Sequence, residues 1–430
     1  MHQTFDLSLD GIAKVEGSCA LDLKVRNGKV KDVKFMLPEN KRFFTNAIKG
    51  KPLAAIPQLL ARICGTCSSA HLMCSIEASE RALGIEPSAQ TMMLRHLTMY
   101  GLNIRDHALH LYLFVMPDLY GKDSFLDFDE NDKEEHQLLH DAFEIKAAGN
   151  YLATIISGRA VHAQHPTIGG FLHFPTQKEV NEAIKKLELI RPAVLRLIKI
   201  YEEAPFHFDW KTNYMGLVSK DHYGFLEGEV VGSAGEKIAE ADLREHLEHV
   251  VLPYSMGSAY KHEGESYMVG ALARINVSKD LLHASTKKSL GKLLNRFPST
   301  DIFDNNLAQA IEILHSVDHA LELMKSNKIK KESIINKKPT PGVGVAVIEA
   351  PRGLLYHKIE IDGKGIVKEG EIVVPTGQNQ INIEESIFKY VESLLPTMDK
   401  KDIPLEIEKL IRAYDPCTSC ATHFLKVKWV

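Results

Sequence analysis

Two cysteine pairs at opposite ends of the chain set the first constraint on how it folds. "RICGTCSSAH" runs from residue 62 to 71 and "DPCTSCATH" from 415 to 423, each with cysteines three apart and a histidine a few positions on. Taken alone, a CxxC pair serves a zinc half-site, a thioredoxin-like dithiol or a cluster ligand set. Zinc ribbons and knuckles draw their two halves from within about 15–20 residues, whereas here residues 68 to 416 lie between the pairs. Thioredoxin chemistry needs one pair beside a βαβ pattern, which this chain lacks. A fold that unites four thiols from both ends buries them at its centre, where soft sulfur suits zinc, iron or nickel.

At 430 residues the chain has ample length for a large core, and its net charge of -4 comes from both signs spread along it. No basic block offers itself to a phosphate backbone, so nucleic acid is not an expected partner. No apolar run approaches the roughly 18 residues of a membrane span; "HLYLFVMPDLYG" is the nearest, cut by Pro117 and Asp118. The opening "MHQTFDLSLDG" lacks the basic start and apolar middle of a secretory signal, and a cytoplasmic location is expected. Cys19 and Cys74 stand alone in apolar surroundings and read as small core residues.

"CALDLKVRNGKVKDVKFML" alternates apolar and polar residues on both sides of Asn27-Gly28, which predicts a hairpin with a tight turn. From about Pro57 the period becomes helical: one helix ends at Gly84, a second at Pro117, and a third, "EEHQLLHDAFEIKAAGNYLATIISG", follows an acidic loop. "EVNEAIKKLELIRPAVLRLIKIYEE" predicts a fourth. The stretch from about Ala204 to Asn276 carries no dominant period. Helices resume with "KDLLHASTKKSLGKLLNRF" and "NNLAQAIEILHSVDHALELMKS", before a β-rich stretch from Gly342 to Pro375 and a C-terminal helix. The fold class expected is mainly α (α+β): a large helical core with peripheral β segments near the N-terminus and before the C-terminal signature. One domain spans 1–430, with an N-terminal β segment over 1–50, the helical core over 51–335, and a β segment with the metal-binding helix over 336–430.

The paired signatures "RICGTCSSAH" and "RAYDPCTSCATH" resemble those of the catalytic large subunit of nickel-iron hydrogenases, of a cytoplasmic type. "IAKVEGSCALDLKVRNGKVKDVKF", "RFFTNAIKG", "LRHLTMYGLNIRDHALHLYLFVMPDLYG", "SGRAVHAQHPTIGGF", "IEAPRGLLYH" and "VVPTGQN" resemble family blocks in family order. The resemblance implies that Cys64 and Cys417 bind nickel terminally, while Cys67 and Cys420 bridge it to an iron carrying carbon monoxide and cyanide. It implies that Cys417 receives the proton when dihydrogen is split and that Glu16 in "KVEG" passes it on, a task for which a buried carboxyl with a raised pKa is suited. It implies further that Arg352 in "APRG" stands above the metals, oriented by Asp106 and Asp415. His71 would tune a bridging sulfur by a hydrogen bond, and Pro351, Pro375 and Thr376 would hold the iron's cyanide.

Departures from the family pattern are local. Lys14 and Ser18 flank "EG" where arginine and histidine are usual. Thr45 follows "RFF" where a glutamate ligand to a magnesium-like ion is usual, and a hydroxyl is a weak replacement for a carboxylate around a hard cation; His423 would remain as its ligand. The tail "FLKVKWV" extends past His423, where many members are cut during maturation. The implied activity is reversible cleavage of dihydrogen, with electrons leaving through an iron-sulfur small subunit, because too few cysteines remain for a relay on this chain. Further electron-transfer subunits and maturation proteins are the other partners implied. Two rival readings are a hydrogen sensor with little turnover and a metal-free scaffold like the quinone-chamber subunit of complex I, which retention of all four cysteines opposes.

Overall fold

The computed structural model describes residues 3–39 and 43–422. The chain opens with β1 (Phe5–Asp10), β2 (Ala20–Arg26) and β3 (Lys29–Met36) in one antiparallel sheet. Asn27 and Gly28 both take positive φ, 51° and 72°, which turns β2 back onto β3 with the twist a two-residue hairpin needs. Residues on one face of this sheet, Leu21, Leu23, Val25 and Phe35, are buried in the main core.

The helical core follows. α1 (Ser68–Leu83) ends at Gly84 in the left-handed conformation, and α2 (Ala89–Leu109) starts at Ser88, whose hydroxyl accepts from the Thr91 amide. α3 (Lys133–Ser157) is capped by Asp132, and α4 (Gln177–Glu202) by a reciprocal box between Thr176 and Glu179. α5 (Asp304–Ser326) packs on both α2 and α4. Small residues let α2 and α3 meet closely: a methyl group at Gly101 would lie 2.8 Å from the Ala153 amide nitrogen.

Near the C-terminus, β4 (Gly342–Ala350), β5 (Gly353–Ile361) and β6 (Val367–Val373) form an antiparallel meander. α1 lies across it, and the approach is so close that a methyl group at Gly344 would come within 1.9 Å of the Ala78 carbonyl oxygen. α6 (Pro375–Leu394) and α7 (Ile403–Ala413) complete the fold, with α6 packed on β3.

Two local readings of the sequence need correction. The helix expected to stop at Pro117 continues through a π-helical turn at His110–Val115 to Leu119; the widened turn makes room for the proline ring and its missing N–H. "KDLLHASTKKSLGKLLNRF" is not continuous, because Gly291 at φ 52° ends the helix Ala284–Leu290 and a 3-10 stretch follows. The middle region is β-rich, with strands Tyr267–Met268, Asn213–Val218, Glu229–Gly232 and Lys237–Ala239 side by side. Thr376 sits in the first turn of α6, where Pro375 supplies the fixed φ of a helix start.

Glu384 on α6 joins the N-terminal sheet to the rest: it accepts from the Phe35 amide at 2.8 Å and from the Tyr254 hydroxyl at 2.9 Å. Burial pushes its carboxyl up to about 7. The folded state therefore holds a proton that the unfolded chain releases near its ordinary value, so this group's contribution to stability is present at low pH and is lost as pH rises through about 7. Replacing Glu384 with Gln is expected to flatten the fall of apparent melting temperature between about pH 5 and about pH 8; an unchanged slope would refute the assignment.

Candidate metal centre

The two cysteine pairs meet. Cys64 and Cys67 lie between the short helix Ile56–Leu60 and α1, with Cys67 at the N-cap of α1. Cys417 stands at the N-cap of the short helix Thr418–Ala421. The Cys67 and Cys420 sulfurs are 3.0 Å apart, Cys64 and Cys417 3.4 Å, and Cys417 and Cys420 3.2 Å. All four are at most 4% exposed, and none is in a disulfide.

What seats the C-terminal pair is the backbone of the N-terminal segment. Glu16 and Cys417 form an isolated parallel bridge, in which the Thr418 amide donates to the Glu16 carbonyl at 3.0 Å. The Thr418 hydroxyl donates to the same carbonyl and accepts from the Ser18 amide at 2.8 Å. The Ser18 amide also reaches Glu39 Oε1 at 3.0 Å. From α6, the Thr376 hydroxyl accepts from the Cys417 amide at 2.8 Å.

Polar groups surround the sulfurs on distinct sides. Glu16 Oε2 is 3.0 Å from Cys417 Sγ and Oε1 is 3.7 Å from Cys64 Sγ. Burial raises the Glu16 carboxyl above the usual range, and the neighbouring Cys64 adds to the effect. On the other side, His71 Nε2 is 3.5 Å from Cys420 Sγ, and its Nδ1 is 3.2 Å from Nε2 of His357 on β5. Burial holds the Cys417 and Cys420 thiols well above their ordinary value, while the hydrogen bond from Cys417 pulls Cys64 well below it. Four sulfurs this close in a dry site do not all ionise unless a cation balances them.

Arg352, in the turn between β4 and β5, is buried between two carboxylates. Its Nη1 donates to Asp106 Oδ2 at 2.7 Å and its Nε to Asp415 Oδ1 at 3.0 Å. Nη2 lies 2.9 Å from the same Asp415 oxygen, yet makes no hydrogen bond of acceptable geometry, which leaves buried N–H capacity unspent. Burial opposes the charge on Asp415, but Arg352 beside it holds its carboxyl below the usual range. Asp415 takes φ 52° immediately before Pro416, a left-handed conformation that aspartate tolerates better than most residues.

The structure thus gathers Cys64, Cys67, Cys417, Cys420, Glu16, His71 and Thr376 into one set of contacts, and links Arg352 to Asp106 and Asp415. The Pro351 carbonyl is occupied by Arg274 Nη2 at 2.8 Å, and Pro375 is the first residue of α6. His423 and the tail after it lie outside the described residues, so the expected magnesium-like site is represented here only by half-buried Thr45. Lys14 pairs with Asp118 at 2.7 Å, and Asp118 in turn holds Arg412 of α7. Cys19 and Cys74 are fully buried apart from the cluster, and burial pushes the Cys19 thiol up to about 12.

Several contributors carried no sequence signal of their own. Gln309 donates to Asp415 Oδ2 at 2.9 Å, and His110 contacts Gln309 Oε1 at 2.6 Å and the Arg412 carbonyl at 2.8 Å. His357 and Thr418 belong here too. A residue whose only task is to hold another one in place has a partner but no spacing.

As a donor set, four buried thiols whose sulfurs lie within 4.8 Å of one another fit a thiophilic metal centre. The unspent N–H of Arg352 and the raised carboxyl of Glu16 on its border fit chemistry in which charge and a proton must be managed. Comparison with known proteins bears on which metals. A family model described as nickel-dependent hydrogenase matches residues 42–139 and 235–423, which include both cysteine pairs. The alpha chain of sulfhydrogenase 1 from Pyrococcus furiosus is 30% identical over 98% of this chain and 98% of its own length. A component of the F420-non-reducing hydrogenase vhc from Methanococcus voltae is 28% identical over 97% of this chain and 94% of its own. Among solved structures, an NAD+-reducing [NiFe]-hydrogenase in the H2-reduced state shares the fold with a TM-score of 0.86 at 22% identity, covering 98% of this chain and all of that one. The Dm. baculatum [NiFeSe]-hydrogenase does so at 0.77 and 22%, with the same coverage of both chains. With a relative matched end to end at 30% identity and a family model spanning both halves of the thiol cluster, the chain belongs to the nickel-dependent hydrogenase family.

Proposed function

We propose that this hydrogenase chain splits dihydrogen at the Cys64–Cys67–Cys417–Cys420 cluster, taking up the proton at Cys417 and passing it to Glu16. The observation that carries the reading is the 3.0 Å contact between Cys417 Sγ and Glu16 Oε2 in a buried site. Cys64 and Cys417 would hold the nickel, and Cys67 and Cys420 would be shared with an iron that carries carbon monoxide and cyanide. That assignment is supported by the sides on which the partners lie, since Glu16 touches Cys64 and Cys417 while His71 touches Cys420. A nickel-iron pair held there would supply the Lewis acidity that heterolytic cleavage of dihydrogen needs and the redox capacity by which its two electrons then leave.

This chain's own residues manage the charge. Cys417 holds the departing proton at its sulfur, and Glu16, its carboxyl raised by burial, accepts it and releases it outward. Arg352, fixed by Asp106 and Asp415, directs positive charge over the cluster without rotating away. His71, backed by His357, would donate to a metal-bound Cys420 thiolate, and Thr376 fixes the Cys417 backbone near the place assigned to the iron's cyanide.

Electrons leave through an iron-sulfur small subunit, with further electron-transfer subunits beyond it. The relatives are themselves named as single components of larger hydrogenases, which supports a multi-subunit enzyme. Cys19 and Cys74, the two cysteines outside the cluster, are buried in the core and cannot hold a relay. A cytoplasmic enzyme serving a soluble carrier is the setting proposed, by analogy with the NAD+-reducing enzyme that shares this fold.

Elemental analysis of the natively purified complex, with an infrared spectrum of the same sample, tests the centre. Nickel and iron in equal amounts with carbon monoxide and cyanide bands are expected; zinc alone, or no bands after coexpression with maturation proteins, would overturn it. Glu16→Gln is expected to lower hydrogen turnover about 10²- to 10⁴-fold while nickel, iron and the infrared bands persist. Arg352→Lys keeps the charge but loses the planar fork to Asp106 and Asp415, with an expected loss of about 10²–10³ in turnover at unchanged metal content. Near-normal turnover in either variant would remove that residue from the proposal.

A further inference from the structure

We propose that His96, His222 and Glu227 form a second metal site, which takes a divalent transition cation of zinc type. One ring nitrogen from each histidine and one carboxylate oxygen of Glu227 all lie within 4.8 Å of one another. His96 stands on α2, about 15 Å along the helix axis before Asp106. His222 and Glu227 come from the loop between the strands Asn213–Val218 and Glu229–Gly232.

Two features separate this group from a chance meeting of polar side chains. His96 is 8% exposed, and its Nδ1 is buried without a hydrogen-bond partner; His222 Nε2 is likewise buried and unpartnered. A buried imidazole nitrogen left unpaired carries a desolvation cost that a metal bond removes. The second feature is the support behind His222. Its Nδ1 lies 2.9 Å from Asp221 Oδ1, which fixes the tautomer with Nε2 as the lone-pair donor, the carboxylate–histidine arrangement common behind metal-binding imidazoles.

The loop is held for the task. The Ser219 hydroxyl donates to the Glu227 carbonyl at 2.6 Å, and the amide of Tyr223, next to His222, donates to the Leu281 carbonyl at 2.9 Å. The cation nearest in sequence, Arg95, is occupied by Glu80 at 2.8 Å. Two imidazoles and one carboxylate suit zinc, nickel or copper over magnesium or calcium, and the exposure of Glu227 leaves room for water as a fourth ligand. The other such group among the described residues, Glu236, His262 and Glu263, offers a single imidazole, and Glu236 is engaged by Asn213 at 2.6 Å.

The test uses the nickel- and iron-loaded holoenzyme, so that the cysteines are occupied, titrated with zinc(II) against a chromogenic chelator. Zinc-edge X-ray absorption is recorded on the same sample. One equivalent is expected, with a nitrogen and oxygen shell showing imidazole scattering. His222→Ala and Glu227→Gln should each weaken binding at least tenfold, with nickel, iron and far-ultraviolet circular dichroism unchanged, and His262→Ala should bind like the parent. Absence of saturable binding, sulfur in the zinc shell, retained affinity in both site variants, or loss of binding in His262→Ala would each overturn the proposal.

Discussion

The short backbone bridge between Glu16 and Cys417 is the contact on which the rest of this structure depends. It joins the first and last segments of the chain, and it sets the C-terminal thiols against those that precede α1. Positions 353 apart meet here, and closing such a loop costs roughly 5 kcal/mol on logarithmic scaling. Thiol contacts do not supply that. The packing of α1 on the C-terminal meander, and of α6 on β3, holds the two cysteine pairs' segments in place around the site.

Electrostatics divides the centre into a fixed part and a movable part. Arg352, Asp106 and Asp415 form a buried ionic group in which loss of one member strands the others, a penalty of about 3–5 kcal/mol. Its geometry is accordingly stiff. Among the described residues no cation forms an ion pair with the Glu16 carboxylate, which meets sulfur instead. One side of the cluster is thereby held by paired charges, while the other borders a buried carboxyl raised above its usual range.

The sequence was most legible where a spacing was itself the chemistry. The two CxxC pairs, the Asn27-Gly28 turn and the stop of α1 at Gly84 each express a local physical requirement, and each is found in the fold. Pro117 misled because the π-helical turn ahead of it absorbs the usual penalty, and that turn has no residue signature. Gly291 stands in a helical pattern, and only its positive φ reveals the break. The strands between Ala204 and Asn276 are short, and alternation over three or four residues does not rise above noise. At the centre, roles that rest on a second residue, such as His357 behind His71 and Gln309 behind Asp415, needed the tertiary contact to be seen.

The seam between the chain's two ends also bears on its synthesis. Arg352 and the N-terminal segment are made before Asp415, Cys417 and Thr418. Until then Arg352 has one of its two carboxylates, and the backbone of Glu16 and Ser18 faces solvent where Thr418 will sit. A nearly complete nascent chain is therefore not a nearly complete protein. A chain that stops short of Asp415 lacks one counter-charge for Arg352 in the core and the backbone partner of Glu16 in the N-terminal segment, so two separate parts of the fold are left unsatisfied at once.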